Sequence, residues 1–278
     1  MLRLFATISL TIGIACLHCL GSDAHAQAPV QIPDTVDHSA FAHVLSTYVD
    51  EEGDVAYEQL AGTADSVLTP YLQMLATTNP VRLDRSQRLA FWINAYNAYT
   101  IKLIVDHYPV TSIKDITSDA DASRPNANSP FLLNVGTVAD TVRSLDDIEH
   151  GIIRERFEEP RIHFALVCAA VSCPALRREP YTGDALDRQL DAQARAFLHN
   201  DTKNRIPDGA NRIAVSRIFK WFDDDFGRSD DALQRILSTY FEGDVRKRLA
   251  KAAYRVRILD YDWTLNDQAR SEDASVRR

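Results

Sequence analysis

A segment with one histidine and two cysteines within eleven residues is the first place in this sequence that could do chemistry. It reads RIHFALVCAAVSCPAL at positions 161–176, and its reactive side chains are His163, Cys168 and Cys173. A cysteine thiolate can act as a nucleophile or a metal ligand, and a cysteine pair can form a disulfide. The segment therefore admits three interpretations: a catalytic thiol, a metal site and a disulfide.

The spacing of these residues argues against a metal ion. They read His-x4-Cys-x4-Cys, whereas zinc ligands typically come in pairs separated by about two to four residues. The chain also has no Gly-rich phosphate loop, no nucleophile-elbow serine and no paired-carboxylate motif, which are the usual marks of nucleotide or acyl-transfer sites. We therefore predict neither a metal nor a cofactor.

A Cys168–Cys173 disulfide would fit an exported protein, because disulfides form and persist outside the reducing cytosol. The two cysteines can meet only if the chain turns between them, since their Cα atoms must approach within about 7 Å. Closing so short a loop adds little stability. Such a bond would shape the loop locally or be redox-active.

A thiol nucleophile needs a base within hydrogen-bond reach. The run RIHFALV predicts a β-strand, in which His163 and Cys168 point to opposite faces about 16 Å apart. Either the backbone bends after Leu166, or the base comes from elsewhere, and His150, after Glu149 on the preceding helix, is the alternative. The small residues after Cys168 suit a turn with free N–H groups. In the competing interpretation, His163 and Cys168 belong to the core.

The elements around this segment predict one α+β domain over residues 27–266, mostly helical, with a small mixed or antiparallel sheet around a buried central helix. That helix spans positions 89–105, LAFWINAYNAYTIKLIV, and is apolar on nearly every side. Asp84 and Gln87 before it resemble a capping box. Asn94 and Asn97 share one face of it and need hydrogen-bond partners. They either brace a neighbouring segment or orient a catalytic group.

Shorter patterns complete the predicted elements. They are helices within 38–49 and 64–76, a strand at VAYEQL, a long loop at 117–130, a hairpin turning at Gly136-Thr137, a helix capped by Ser144, a helix over DALDRQLDAQARAFLHN, a strand in NRIAVSRIFKWF, a helix at DALQRILSTYF and a final strand in YRVRILDYDWTLN.

The two termini predict export and a polar tail. Residues 1–26 have an early arginine, an apolar run and Ala24-His25-Ala26 before Gln27, a pattern typical of a secretory signal peptide. The apolar run is short for a bilayer span. We expect a periplasmic or extracellular protein with no stable membrane insertion after cleavage. Residues 267–278 are polar and predict a disordered tail.

The charge of the chain argues against nucleic-acid partners. The formal net charge is −8, and no run of basic residues is longer than three, whereas phosphate binding needs clustered Lys and Arg.

Four ordered motifs carry a family resemblance: FWINAYNAYTI, SLDDIEHGIIR, PRIHFALVCAAVSCPAL and YDWTLN. Together they resemble the family of domain of unknown function 547, which occurs in exported bacterial proteins, over most of residues 41–266. The family motifs fall on Asn94 and Asn97, on Glu149 and His150, and on the segment from His163 to Cys168. The family usually has glycine after the first cysteine, where this chain has Ala169. Plant relatives have serine in place of the second cysteine, which makes Cys168 the better candidate for chemistry.

The motifs lead to two functional hypotheses. In the first, Cys168 attacks a peptide-like or envelope substrate in thiol-dependent hydrolysis or acyl transfer. A histidine, His163 or His150, takes its proton, Asn94 orients the histidine or the oxyanion, and Glu149 belongs to the same site. In the second, the protein is a non-catalytic cell-envelope binding module whose Cys168–Cys173 pair is structural or redox-active.

Overall fold

The computed structural model describes residues 35–117 and 129–270. The predicted signal peptide, positions 118–128 of the predicted loop and residues 271–278 lie outside the described residues. Within them the chain is mostly helical with two small two-stranded sheets, which confirms the α+β class. No helix of the described residues is long and apolar enough to cross a membrane.

The helices of the described ranges are short apart from two. They are α1 (Ser39–Tyr48), α2 (Tyr57–Ala61), α3 (Ala64–Val67), α4 (Thr69–Thr77), α5 (Arg85–His107), α6 (Leu145–Ile148), α7 (Leu186–Leu198), α8 (Ile218–Trp221), α9 (Asp230–Leu237) and α10 (Gly243–Ala250). A π-helical segment, Glu149–Arg154, continues α6, and a 3-10 helix covers Pro160–Phe164.

The strands form two separate ladders. Strand β1 (Asn134–Val138) pairs antiparallel with β2 (Thr141–Ser144), and β3 (Arg212–Val215) pairs in parallel with β4 (Arg255–Ile258). The first hairpin turns at Ala139 and Asp140, whose φ angles are 51° and 57°. Positive φ at both turn residues matches the twist of a tight hairpin. Our placement of the turn at Gly136-Thr137 was wrong, because both residues lie within β1.

The central helix α5 is buried along most of its length, as its apolar sequence predicts. Its N-cap is Asp84, whose side chain accepts a hydrogen bond of 2.8 Å from the Gln87 backbone N–H. The reciprocal bond of a capping box is missing, since Gln87 Oε1 is buried without a partner. The remaining core forms a second apolar cluster on α7, α8, α9 and β3.

Two buried amides of α5 hold backbone from other parts of the chain. Asn97 Nδ2 donates to the Ala165 carbonyl at 3.0 Å, and its Oδ1 accepts the Val167 N–H at 3.0 Å. Asn94 makes the same two-way contact with the backbone of Tyr181, at 2.7 and 2.9 Å. Both asparagines therefore brace neighbouring segments, the first of the two roles we predicted.

The strand predicted for RIHFALV is wrong. Pro160 starts a 3-10 helix through Phe164, and the chain then runs through a turn rather than a ladder. Short apolar runs do not distinguish strands from buried helical turns. Here the Asn97 amide takes the backbone groups of Ala165 and Val167 that a neighbouring strand would need.

The strand predicted for VAYEQL is also wrong, because most of this segment is helix α2. The predicted final strand is present as β4, although it covers only residues 255–258 of its segment. Residues 267–270, which we assigned to the tail, contact the start of the described chain. Asp267 forms a β-bridge with Val55, and Gln268 Nε2 donates to the Tyr48 carbonyl at 3.1 Å.

The two-way contact of Asn97 gives a stability prediction. Asn97→Ala leaves a buried carbonyl and a buried N–H without partners, so we expect the free energy of unfolding to fall by about 2–4 kcal/mol. Asn211→Ala, on an exposed asparagine, should change it by less than about 0.5 kcal/mol. Urea denaturation followed by circular dichroism measures both. Equal stabilities of the two variants would contradict the bracing role.

Candidate active site

A single cleft collects most of the reactive residues predicted from the sequence. It encloses about 740 Å³, including its open mouth. Residues of α5, the π-helical segment, the cysteine segment, α8 and the 261–263 segment line it. They are Tyr96, Ser129, Phe131, Asp146, Glu149, His150, His163, Leu166, Cys168, Cys173, Pro174, Ile218, Trp221, Phe222, Tyr261 and Trp263.

A change of helix type places Glu149 and His150 in this cleft. Ser144 caps α6 through its hydroxyl, which accepts the Asp147 N–H at 3.0 Å, and the helix widens to a π-helix at Glu149. Isolated π-helical turns often occur at functional sites. The side chain of Glu149 is 13% exposed and that of His150 is 40% exposed, so the two neighbours meet different surroundings.

Glu149 is the buried acid of the cleft. Burial raises the pKa of Glu149 to about 7. The Tyr96 hydroxyl donates a hydrogen bond to the carboxylate, and this bond lowers the pKa and so opposes the effect of burial. The charge of Arg154 also lowers this pKa. A carboxyl group with a pKa near neutrality can both donate and accept a proton at physiological pH.

The imidazole of His163 is buried and neutral, and one of its two nitrogens is hydrogen-bonded to Asp225. Its side chain is 1% exposed, and its Nε2 lies 2.7 Å from Asp225 Oδ2. The ring stacks on Phe222 with centroids 3.8 Å apart. Burial lowers the pKa of His163 to about 4, although the bond to Asp225 opposes this shift. A neutral ring whose Nε2–H faces Asp225 carries its lone pair on Nδ1, which lies 4.0 Å from Glu149 Oε1.

Asp225 is hydrogen-bonded to both His163 and the Arg154 guanidinium. Its Oδ2 also accepts from Arg154 Nε at 2.8 Å. Burial opposes ionisation of Asp225, but the hydrogen bonds from Arg154 and His163 outweigh it and lower the pKa of this carboxyl. Arg154 Nη1 lies 3.0 Å from His150 Nδ1. Burial lowers the pKa of His150, opposed by the charge of Asp146. Glu149, His163 and Asp225 thus lie in a row. At neutral pH Glu149 is partly ionised, His163 is neutral and Asp225 is ionised.

The two cysteines are joined by a disulfide, with their Cα atoms 6.3 Å apart. The loop closes because Ala169 adopts a left-handed backbone with φ of 57°, a conformation that glycine adopts more readily than alanine. This is the position where the family usually has glycine. The backbone therefore takes the shape that the family glycine favours, although this chain has alanine there.

Both sulfurs meet the same hydroxyl. Tyr261 donates to Cys173 Sγ at 3.2 Å, and its oxygen lies 3.3 Å from Cys168 Sγ. The Cys168 backbone N–H also donates to Cys173 Sγ, at 3.1 Å. Among the described residues, no histidine is hydrogen-bonded to either sulfur. The sulfur pair and the His163 imidazole line one cleft as separate groups.

Most of the site residues predicted from sequence come together. Cys168, His163, His150 and Glu149 all line the cleft. In a strand, His163 and Cys168 would point to opposite faces. This argument does not apply, because the segment is a 3-10 helix and a turn. Asn94 is not among the lining residues, and both ends of its amide are engaged by Tyr181. The orienting role of Asn94 therefore stays a prediction, and the contacts of its amide are those of a bracing residue.

Several residues of the site escaped the sequence analysis. Asp225 lies in the run WFDDDF, where no spacing distinguishes it from its two acidic neighbours. Tyr96 lies in the α5 motif, between Asn94 and Asn97, and its residue type predicts a core position. Tyr261 lies in the motif YDWTLN, so the resemblance marked its segment without assigning it a role.

An aromatic wall borders the sulfur side of the cleft. Trp221, Tyr261 and Trp263 contact one another with ring centroids 4.6 to 5.6 Å apart. Trp221 is 44% exposed, and large exposed aromatic side chains are common at binding sites. The wall offers a substrate an apolar face beside the polar groups of the π-helical segment.

The described residues hold no group of three or more His, Cys, Asp or Glu side chains arranged to bind a metal ion. The polar groups of the cleft are engaged with one another instead: Glu149 with Tyr96, and His163 with Asp225.

Comparison with known families identifies the central part of the chain. Residues 80–198 match the family described as protein of unknown function, DUF547, so the resemblance stated from the motifs is confirmed for that segment. The match includes α5, the π-helical segment and both cysteines, and it stops before the motif YDWTLN. No curated protein and no solved structure matches the chain.

The buried acid gives a prediction on stability and pH. The pKa of Glu149 rises from about 4.3 in an unfolded chain to about 7 in the folded one, so the folded state keeps a proton that the unfolded state releases. Its contribution to folding is therefore lost as pH rises through this interval and stays lost above it. Glu149→Gln should raise the free energy of unfolding at pH 8, by about 1–3 kcal/mol.

The same comparison at pH 5 should show a smaller difference, because Glu149 is then protonated in the folded state. Glu155→Gln, on an exposed glutamate just beyond the π-helical segment, is the control and should not change the dependence on pH. Urea denaturation at both pH values measures the effect. A Glu149→Gln variant less stable than the wild type at pH 8 would show that the carboxylate is not destabilised by burial.

Proposed function

We propose that this chain, whose residues 80–198 belong to the DUF547 family, is an exported thiol-dependent hydrolase or acyl transferase acting on a peptide-like or glycan-linked envelope substrate. One observation supports it above the others. Cys168 opens onto the same cleft as the buried proton-transfer groups Glu149 and His163. Perturbed acids and bases gathered in one cleft with a nucleophile are typical of active sites.

The proposed chemistry uses the open form of the cysteine pair. The thiolate of Cys168 attacks the substrate carbonyl carbon, the bond to the leaving group breaks, and an acyl thioester remains on the sulfur. Water or an acceptor nucleophile then takes the acyl group and regenerates the thiolate. His163 Nδ1 carries a lone pair and Glu149 ionises near neutrality, so these two groups take the proton of the Cys168 thiol before the attack and give it to the leaving group. In the second step they take a proton from the water or acceptor that attacks the thioester.

Two backbone N–H groups directly follow Cys168 in the chain and are candidate donors to the oxyanion of such a reaction, although Ala169 and Ala170 are buried and do not line the cleft. Within the parts of the chain that the structure describes, the N–H groups of Ala169 and Ala170 have no hydrogen-bond acceptor. Buried N–H groups without a partner are rare in proteins. Donors beside the nucleophile are the usual means of holding the negative charge that develops on a substrate oxygen.

A disulfide has no free thiolate, so the proposal requires reduction of the Cys168–Cys173 bond before the first turnover. This requirement separates it from ordinary acid–base hydrolysis at Glu149 and His163, which would proceed in either redox state.

A non-catalytic envelope binding module is the second candidate. The closed disulfide and the absence of a histidine hydrogen bond to either sulfur among the described residues favour it. In that case the aromatic wall of Trp221, Tyr261 and Trp263 would carry the binding, and the cysteine pair would hold the loop.

Export remains part of the proposal and rests on the pattern of residues 1–26. N-terminal sequencing of the protein purified from the cell envelope should begin at Gln27. A sequence that starts at Met1 would remove both export and the envelope substrate.

The redox requirement gives the central activity prediction. Hydrolysis of an activated ester such as p-nitrophenyl acetate should occur with the reduced wild-type protein and be lost after oxidation. Cys173→Ala frees Cys168 permanently, so this variant should be active without reductant. Cys168→Ala should be inactive in both states, with the rate reduced at least about 100-fold. Equal rates for the Cys168→Ala variant and the reduced wild type would exclude the thiol mechanism.

The acid–base pair gives a separate prediction on the pH profile. In a protein held in the reduced state, Glu149→Gln should lower kcat by about 100-fold and remove an inflection near pH 7, where Glu149 ionises. Glu155→Gln should keep both the rate and the inflection. An inflection that survives in Glu149→Gln would assign it to another group.

A further inference from the structure

The cysteine pair is not symmetric, and we propose that Cys168–Cys173 is a thiol–disulfide exchange site in which Cys168 receives the attack of a dithiol reductant and Cys173 leaves. This activity goes beyond the proposed hydrolase. It holds equally if the cleft only binds its ligand, because it needs no acyl chemistry.

Access differs between the two sulfurs. Both cysteines line the cleft, but Cys168 is half-buried whereas Cys173 is only 1% exposed. Exchange requires a thiolate to reach one sulfur of the disulfide, and the more accessible sulfur is attacked faster. The aromatic wall and the cleft mouth therefore direct an incoming thiol to Cys168.

Hydrogen bonding makes Cys173 the better leaving group. Its sulfur accepts the Cys168 backbone N–H at 3.1 Å and the Tyr261 hydroxyl at 3.2 Å. The same hydroxyl also lies 3.3 Å from Cys168 Sγ, so the backbone N–H is the contact that distinguishes the two sulfurs. Hydrogen bonds to the charged form of a group favour that form, so these donors stabilise a thiolate on Cys173. A leaving thiol of lower pKa departs faster in disulfide exchange.

Some of the charged groups around Cys173 favour a thiolate on this residue, and others oppose it. Lys203 Nζ donates to the Cys173 carbonyl and places a positive charge beside this residue. Burial lowers the pKa of Lys203 to about 8, opposed by the charge of Asp54. Glu149, His150 and His163 line the same cleft. His163 is neutral, and Glu149 is protonated for part of the time near neutral pH. Asp146 also lines the cleft, and the hydrogen-bond donors are the groups that contact Cys173 Sγ directly.

The exchange has two balanced steps. First, a thiolate of the reductant attacks Cys168 Sγ, a mixed disulfide forms, the Cys168–Cys173 bond breaks, and its electron pair goes to Cys173 as a thiolate. Second, the other thiol of the reductant, as a thiolate, attacks the reductant sulfur of the mixed disulfide and expels the Cys168 thiolate. The reductant ends as a disulfide, and two electrons have passed to the cysteine pair.

The first test uses the wild-type protein. The oxidised protein is treated briefly with limiting cysteamine, a monothiol that stops the reaction at the mixed disulfide. Free thiols are then blocked with N-ethylmaleimide, and peptide mass spectrometry locates both groups. We expect cysteamine on Cys168 and maleimide on Cys173. The reverse assignment, or an equal mixture, would overturn the proposal.

The second test measures the role of Tyr261. Tyr261→Phe removes one donor to the leaving sulfur, so the rate of reduction by dithiothreitol should fall at least about threefold. Tyr240→Phe, whose ring packs against Arg195 outside the cleft, should reduce at the wild-type rate. A Tyr261→Phe variant with a native circular dichroism spectrum and an unchanged rate would remove Tyr261 from the leaving-group role.

Both tests read thiol chemistry alone, so their outcome is independent of hydrolysis. If exchange is specific for Cys168 and the protein hydrolyses nothing, the exchange site is supported and the hydrolase is excluded. If the protein hydrolyses the ester and exchange is unselective, the hydrolase is supported and the exchange site is excluded.

Discussion

Burial of the central part of α5 is the constraint on which the rest of the structure depends. A helix apolar on every side must be surrounded by other segments, and any amide within it must bond to them. Asn97 meets this requirement by taking the carbonyl of Ala165 and the N–H of Val167. The segment that leads to Cys168 is therefore hydrogen-bonded to the buried central helix, and these two backbone groups are not available to a neighbouring strand.

Burial of the same region also sets the chemistry of the cleft. Glu149 and His163 both lose water, and desolvation raises the pKa of the acid and lowers that of the imidazole. At neutral pH the imidazole is uncharged and the acid ionises partially. The pKa of Asp225 is lowered by its hydrogen bonds from Arg154 and His163, so this carboxylate stays ionised at neutral pH. A buried pair of this kind is unfavourable for stability and suited to proton transfer, which is typical of functional sites.

The cleft lies where two apolar clusters meet. The cluster around α5 supplies Leu166 and Tyr96 to its lining, and the cluster of α7 to α9 supplies Ile218 and Phe222. Phe222, which packs against the cluster of α7 to α9, stacks its ring on His163. This cluster therefore helps to orient the His163 imidazole. Polar groups on such a boundary can remain buried and still face a ligand.

Much of the frame follows from the sequence alone. The apolar run of α5 predicts a buried central helix, the Ser144 cap and the amphipathic pattern of α7 give helix positions, and the motifs identify the family over residues 80–198. The motifs also select Cys168, His163, His150 and Glu149, because reactive side chains are recognisable by type. Such features depend on local periodicity, capping and residue chemistry, which a sequence displays directly.

The tertiary structure decided how those residues meet. RIHFALV has the composition of a strand, yet it is a 3-10 helix and a turn because the side chain of Asn97, distant in sequence, takes its backbone groups. The same long-range packing brings Asp225 to His163 and Tyr261 to the two sulfurs, contacts that no spacing encodes. It also supplies the partner of the Asn94 amide, the backbone of Tyr181. Residue type identified the reactive groups, and burial with long-range hydrogen bonds determined their partners and their protonation.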